Sequence, residues 1–277
     1  MKISKDAITS RRNPLVMLAA SLAEKKYRDE HRLFMAMGHK LCREAVAASA
    51  PVAHVLVTEE YARGRLSELA ELFSDEQYRD TALSVLSEGC FEKITTEKAP
   101  DGVILLIKYL DISKKYNTII NVGNLGEGSS AIFLHSIRDP GNLGTILRSA
   151  GAFGAGLVLM SDDCADIYHP RAVRAAMGAI FRVPTVRVSD VAGAIAAIQR
   201  GGRRVLAAEL RPRSVSVFEV GLKASDIMMI GNEGHGIPEE ISALCDAGVF
   251  LPIAENSESL NAAAAATVFL WEQGKLK

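Results

Sequence analysis

A chain of 277 residues is long enough for two ordinary domains, each with a core of its own. A hydrophobic fraction of 48% beside 23% charged residues excludes a disordered polymer, and no uncharged apolar run reaches the 18 residues of a membrane span. The net charge of −1 excludes nucleic-acid binding by bulk basicity, and Cys42, Cys90, Cys164 and Cys245 are scattered without the spacing of a disulfide framework or a metal site.

The opening MKISKDAITSRR has no apolar segment of a secretory signal, so the expected compartment is the cytoplasm, with no membrane and no metal among the partners. Residues 1–45 nevertheless hold ten Lys or Arg against five Asp or Glu. The stretch His169–Arg187 carries Arg171, Arg174, Arg182 and Arg187 with no acid. Local basic patches on a neutral body suit a polyanionic partner, although a solvated face looks the same.

Apolar periodicity predicts helix from about Asn13 to Ala48, with Leu15, Leu18 and Leu22 on one face. A strand follows at 52–59, then a helix (RLSELAELF), a strand, turn and helix (LSVLSEGCFEKI), and a buried strand (GVILLIKYL). That makes a small α/β domain over residues 1–110. Residues 111–130 turn polar and Gly-rich, a linker with room for one strand. The second domain, 131–277, alternates strands and helices. Strands are read at AIFLHSI (131–137), GLVLM, RRVLAAEL, IMMI and GVFLPI. Helices are read from about Leu143 to Phe153, at HPRAVRAAMGAIF, PEEISALC and SLNAAAAATVFLWEQ. Nearly continuous apolar strands alternating with helices imply a parallel sheet covered on both faces. Ligands of such sheets sit beyond the carboxyl ends of the strands. Three unusual loops, 138–142, 231–237 and 253–261, fall at those ends.

In the first loop Asn142 is a good helix N-cap, Gly144 permits close approach, and Arg148 follows six residues on, almost two helical turns, so that both can face the same side. The second, GNEGHGIP, has the glycine order Gly-x-x-Gly-x-Gly, which is not the dinucleotide fingerprint. It does offer backbone donors and places Glu233 among glycines; its neighbour His235 reads as a solvated loop histidine. In the third, Ser259 and Asn261 precede five alanines (Ala262–Ala266), where they can cap a helix or hold a ligand. The alanines suit a tight core or a dimer interface.

Together these segments resemble the SpoU (TrmH-like) branch of the SPOUT methyltransferases. Its Asn-x-Gly-x-x-x-Arg motif is matched by Asn142, Gly144 and Arg148. Its Gly-Asn-Glu-Gly-x-Gly motif is matched by Gly231–Gly234 and Gly236, and its Pro…Ser-Leu-Asn motif by Pro252, Ser259, Leu260 and Asn261. ITSRRNPLV and KKYRDEHRLF resemble the ribosomal-protein-like RNA-binding domain attached to many members. Two positions depart from the family pattern: Met37 stands where an acid is common, and Glu255 where glycine is common.

The resemblance implies an S-adenosylmethionine-dependent transfer of methyl to a ribose 2′-hydroxyl, in large-subunit rRNA before tRNA. It also implies a homodimer and a C-terminal trefoil knot, a rare chain topology that no periodicity reveals. By the same resemblance Ile230, Gly231, Gly234, Ile253, Leu260 and Asn261, with Leu134 and His135, are expected at the cofactor, mostly through backbone groups. Arg148, Asn142, Glu233, Ser259 and Asn261 are the expected catalytic set, with Glu233 orienting Arg148. A guanidinium has no acceptor, so Arg148 is read as a cation that polarises the hydroxyl or clamps a phosphate. RNA binding is expected from Arg11, Arg12, Lys25, Lys26, Arg28, Arg171 and Arg174. Two competing readings are a non-catalytic RNA-binding scaffold, against which the intact motifs argue, and a nucleotide or NAD enzyme, against which the glycine order argues.

Overall fold

The computed structural model describes residues 1–4, 6–95, 99–110, 130–254 and 259–276. The linker at 111–130, apart from Ser130, and the Glu255 departure lie outside them. Contacts divide the chain into two compact units: Met1–Leu110 with Asp166–Phe181, and Asp111–Ala165 with Arg182–Lys277. The segment 166–181 is thus part of the first unit, although the sequence reading placed it within 131–277.

In the first unit, β1 (Lys2–Ile3), β2 (Leu33–Met37), β3 (Val52–Thr58), β4 (Ala82–Leu86) and β5 (Val103–Lys108) form a mixed sheet in the order β1-β4-β3-β5-β2. Its helices are α1 (Pro14–Ser21), α2 (Lys25–His31), α3 (His39–Ala47), α4 (Glu59–Leu72) and α5 (Glu88–Ile94). The helical span expected over 13–48 is therefore broken by β2. Arg32 ends α2 in the left-handed region at φ 53°, and Gly38 turns the chain into α3 at φ 92°. Between them LFMAM pairs antiparallel with β5, from Leu33 with Lys108 to Met37 with Ile104, and buries Phe34, Met35 and Ala36 in succession. Three adjacent buried residues suit a strand covered on both faces, a pattern that periodicity cannot tell from a buried helix. On one face Val16, Ala19, Leu22, Met35, Leu56, Phe91 and Leu106 share a core.

The second unit carries a seven-stranded, wholly parallel sheet in the order β10-β12-β9-β11-β6-β7-β8. Its strands are β6 (Ala131–Leu134), β7 (Leu157–Ser161), β8 (Thr185–Val188), β9 (Val205–Ala208), β10 (Val215–Ser216), β11 (Ile227–Ile230) and β12 (Ala247–Phe250). Helices α6 (Pro140–Ala152), α8 (Val191–Arg200), α9 (Glu239–Ser242) and α10 (Ala262–Gly274) belong to this unit, and α7 (Pro170–Ala176) to the first. Apolar periodicity does not reveal β8, α8 or the two-residue β10. On one face Phe133, Leu159, Ile195, Ile198, Val205 and Met229 form the core, all nearly inaccessible to solvent. Alanines on α10 let it lie against α6: Ala262, Ala263 and Ala266 are buried, and Ser149 shares a 2.7 Å hydrogen bond with Thr267.

Candidate active site

The carboxyl ends of β6, β11 and β12 deliver the three unusual loops to one edge of the second unit's sheet. β6 and β11 are neighbours, with Ile230 beside Leu134, and the His135 N–H donates to the Ile230 carbonyl at 2.8 Å. The second loop closes on itself through two Asn232–Gly236 backbone hydrogen bonds of 2.9 and 3.2 Å. Gly231 is dictated by that closure, because a Cβ there would lie 2.4 Å from the Gly236 carbonyl carbon and 2.6 Å from the Ile237 nitrogen. Gly236 itself turns at φ 67°. The Asn232 side chain accepts from the N–H groups of Gly234 and His235 and donates to the Ser136 carbonyl, tying the second loop to the turn between β6 and the first loop. His235 is exposed.

Asn142 is not the N-cap. Helix α6 begins at Pro140, and the cap is Asp139, whose carboxylate accepts the Asn142 N–H at 2.9 Å. Proline at the first helical position loses no hydrogen bond there, which is why the helix starts three residues before the expected point. Released from capping, the Asn142 amide donates to Glu233 Oε1 at 2.5 Å and accepts from Asn261 Nδ2 at 3.1 Å. Asn261 does cap its helix: its Oδ1 takes the N–H groups of Ala263 and Ala264, leaving the amide nitrogen for Asn142. One polar residue from each loop thus joins a single hydrogen-bonded chain, Glu233–Asn142–Asn261.

Arg148 stands apart from that chain. Six residues make about 1.7 helical turns, so its side chain diverges from that of Asn142 by about 120°. It lies on the exposed stripe of α6 with Thr145 and makes no hydrogen bond or ion pair with a described residue. Glu233 therefore orients Asn142, not Arg148 as expected. Ser259 is exposed and its hydroxyl bonds to no described residue. Of the expected cofactor contacts, Leu134, Ile230 and Gly231 are buried strand ends that offer backbone only. Gly234 is exposed, as are Ile253 (36%) and Leu260 (41%).

The sheet order adds a wall that sequence reasoning missed. β9 lies between β11 and β12, so the loop after it, beginning at Glu209, borders the second and third loops. There Leu210 is 73% exposed, Arg211 donates to the Ile237 carbonyl at 2.8 Å and pairs with Glu209, and Glu209 accepts from Ser242. The signal was a strand-end loop like the others, but its place between them depends on strand order. Exposed apolar side chains (Leu210, Ile253, Leu260) beside backbone groups at strand ends fit an adenine nucleoside, which needs flat apolar contacts and a few fixed polar ones.

Among the expected RNA contacts, Arg11, Arg12, Lys25, Lys26, Arg171 and Arg174 are exposed, all in the first unit, and Lys25 pairs with Asp29. Arg28 is a correction. It is 1% exposed, with Nε and Nη2 on Asp166 and Nη1 on the carbonyls of Leu22 and Ala23, so no donor of it is presented to a polyanion. Arg187 is likewise committed, donating to the carbonyls of Asp162, Cys164 and Ala165.

The SpoU rRNA Methylase family matches residues 129–271, and the MRM3-like substrate binding domain matches residues 13–105. The chain is 26% identical over 266 residues to the 23S rRNA (guanosine(2553)-2′-O)-methyltransferase of Bacillus subtilis, covering 95% of this chain and 97% of that one. It is 37% identical over 137 residues to the 23S rRNA (uridine(2479)-2′-O)-methyltransferase of Streptomyces viridochromogenes, 48% of each. A crystal structure of an AdoMet-bound rRNA methyltransferase from Sinorhizobium meliloti is similar with a TM-score of 0.83 at 28% identity, covering 99% of this chain and 98% of that one.

Proposed function

The chain belongs to the SpoU rRNA methylase family, and from that premise we propose that it methylates a ribose 2′-hydroxyl of large-subunit ribosomal RNA with S-adenosylmethionine. The observation that carries this reading is the joining of Asn142, Glu233 and Asn261 by hydrogen bonds at the carboxyl end of a parallel sheet, with Arg148 one helical stretch away. The same relationship supports the knotted C-terminal segment and the cytoplasmic location. A homodimer is supported by exposed apolar Val268 and Trp271 on α10, the helix that lies against α6.

S-adenosylmethionine, held by the backbone of Ile230–Gly234 and by Ile253 and Leu260, would supply a methyl group on a sulfonium that leaves as a neutral thioether. The residues of the chain contribute position and charge. Glu233 and Asn261 hold the Asn142 amide from both sides, which fixes its orientation. The Arg148 guanidinium stabilises negative charge growing on the 2′-oxygen; it has no acceptor and takes no proton, so the hydroxyl proton leaves to solvent water.

Incubation with radiolabelled S-adenosylmethionine and unmodified rRNA transcripts tests the reading. Label in an alkali-resistant dinucleotide of one large-subunit site is expected. Label in tRNA alone would move the substrate to tRNA, and cofactor binding with no labelled RNA would favour the scaffold reading. Gly231→Ala should raise the cofactor Kd at least about tenfold, because a Cβ forces apart the backbone that closes the loop. Calorimetric titration checks this, and an unchanged Kd would remove that loop from the cofactor site. Replacing Arg11, Arg12, Lys25 and Lys26 together with alanine should flatten the dependence of log K on log salt by up to about 3, near 0.7 for each phosphate left without its cation. An unaltered slope would place the RNA elsewhere.

A further inference from the structure

The loop that carries Glu233 is anchored from outside the three motif loops. Asn232 donates to the carbonyl of Ser136, and Ser136 is a non-glycine residue in the left-handed region at φ 58°. Such a conformation persists only where its surroundings hold it. What holds it is the turn after β7. The Ser136 N–H donates to Ser161 Oγ at 2.9 Å, Ser136 Oγ donates to Asp163 Oδ2 at 2.5 Å, and Ser161 Oγ donates to Asp163 Oδ1 at 2.6 Å. Arg187 fastens that turn through the carbonyls of Asp162, Cys164 and Ala165. Burial pushes the Asp163 carboxyl up, but bonds from Ser136, Ser161 and Arg138 outweigh it and hold it below the usual carboxylate range. The charged form is therefore the one that accepts both serines.

We propose that Asp163 is a positioning residue for methyl transfer: through Ser136 and Asn232 it sets where the Glu233 carboxylate and the Asn142 amide point. The consequence for turnover rests on the reaction proposed above; the anchoring of the loop does not. Asp163 reaches the three motif loops through Ser136 and, at 3.5 Å, through the exposed Arg138 at the start of the first, and its own side chain is 46% exposed, so its replacement leaves the core intact.

The test compares Asp163→Ala with Asp162→Ala, which removes the same charge one residue away from a carboxylate that bonds to no described residue. Amide hydrogen exchange is followed at Gly234, His235 and Gly236, whose N–H groups are held by Asn232. Exchange there should quicken in Asp163→Ala and not in Asp162→Ala. The kcat at saturating substrates should fall about ten- to a hundredfold, the scale of an ångström-sized misplacement, with the KM for RNA unchanged. Asp163→Asn should recover part of the loss, since an amide oxygen still accepts one serine. Wild-type exchange at these amides in Asp163→Ala would overturn the proposal, as would equal effects of the two alanine variants or faster exchange with unaltered kcat. If the wild-type chain labels no RNA while the exchange difference is present, the anchoring stands and the reaction reading is what fails.

Discussion

Arg148→Lys will keep the positive charge and lose most of the turnover. The residue projects from α6, a 13-residue helix whose inner face is buried along Leu143, Ile146, Leu147 and Ala150, so the backbone beneath it is fixed by the core. Its guanidinium is committed to no described partner, unlike that of Arg28, whose donors are all bonded inward, and that of Arg187, which is bound to main-chain carbonyls. A planar fork can address a ribose oxygen and an adjacent phosphate together, whereas an ammonium is a compact point charge. Removing one preorganised donor to a developing oxyanion lowers kcat by about 10²–10³, so Arg148→Ala should fall by that amount. The lysine variant should sit nearer to alanine than to wild type. Single-turnover methylation at saturating cofactor and RNA measures this, with cofactor Kd determined alongside and expected to be unchanged. A lysine variant within twofold of wild type would mean that charge without geometry suffices.

Arg28→Ala should destabilise the first unit by about 3–5 kcal/mol, the cost of removing one partner of a buried ion pair. The guanidinium has no exposed alternative: it spans Asp166, 11% exposed, and two main-chain carbonyls that lose their donor when it is removed. Asp166 belongs to the segment 166–181, which the aromatic contacts of Tyr168 with Phe34 and Tyr109 also bind to this unit. Two units unfold as more than two states, so a single midpoint is a poor measure. The only tryptophan, Trp271, reports on the second unit. Far-ultraviolet circular dichroism against urea should show the first unit's transition moving to lower denaturant, while the Trp271 fluorescence transition moves little. Coincident, unshifted transitions would show that the pair adds nothing to stability.

Local sequence determined much of the second unit. Apolar runs, their punctuation by glycine and proline, and the capping chemistry of Asn261 are all short-range properties, and they located five of the seven strands, the last helix and the three strand-end loops. The motif spacing that marks the family was also legible, because loops at strand ends carry side chains chosen for chemistry before packing. Tertiary structure decided what depended on a distant partner. Arg28 looked like a surface cation until Asp166, 138 residues away, took it inside. The strand β2 read as helix until β5 supplied its hydrogen bonds. Asp139, not Asn142, caps α6, and that choice freed the amide that joins Glu233 to Asn261. The positions of β9 between β11 and β12, and of Asp163 beneath Ser136, follow from strand order. Strand order is set by which apolar faces can be buried together, a global balance to which each short stretch of sequence contributes without revealing the outcome.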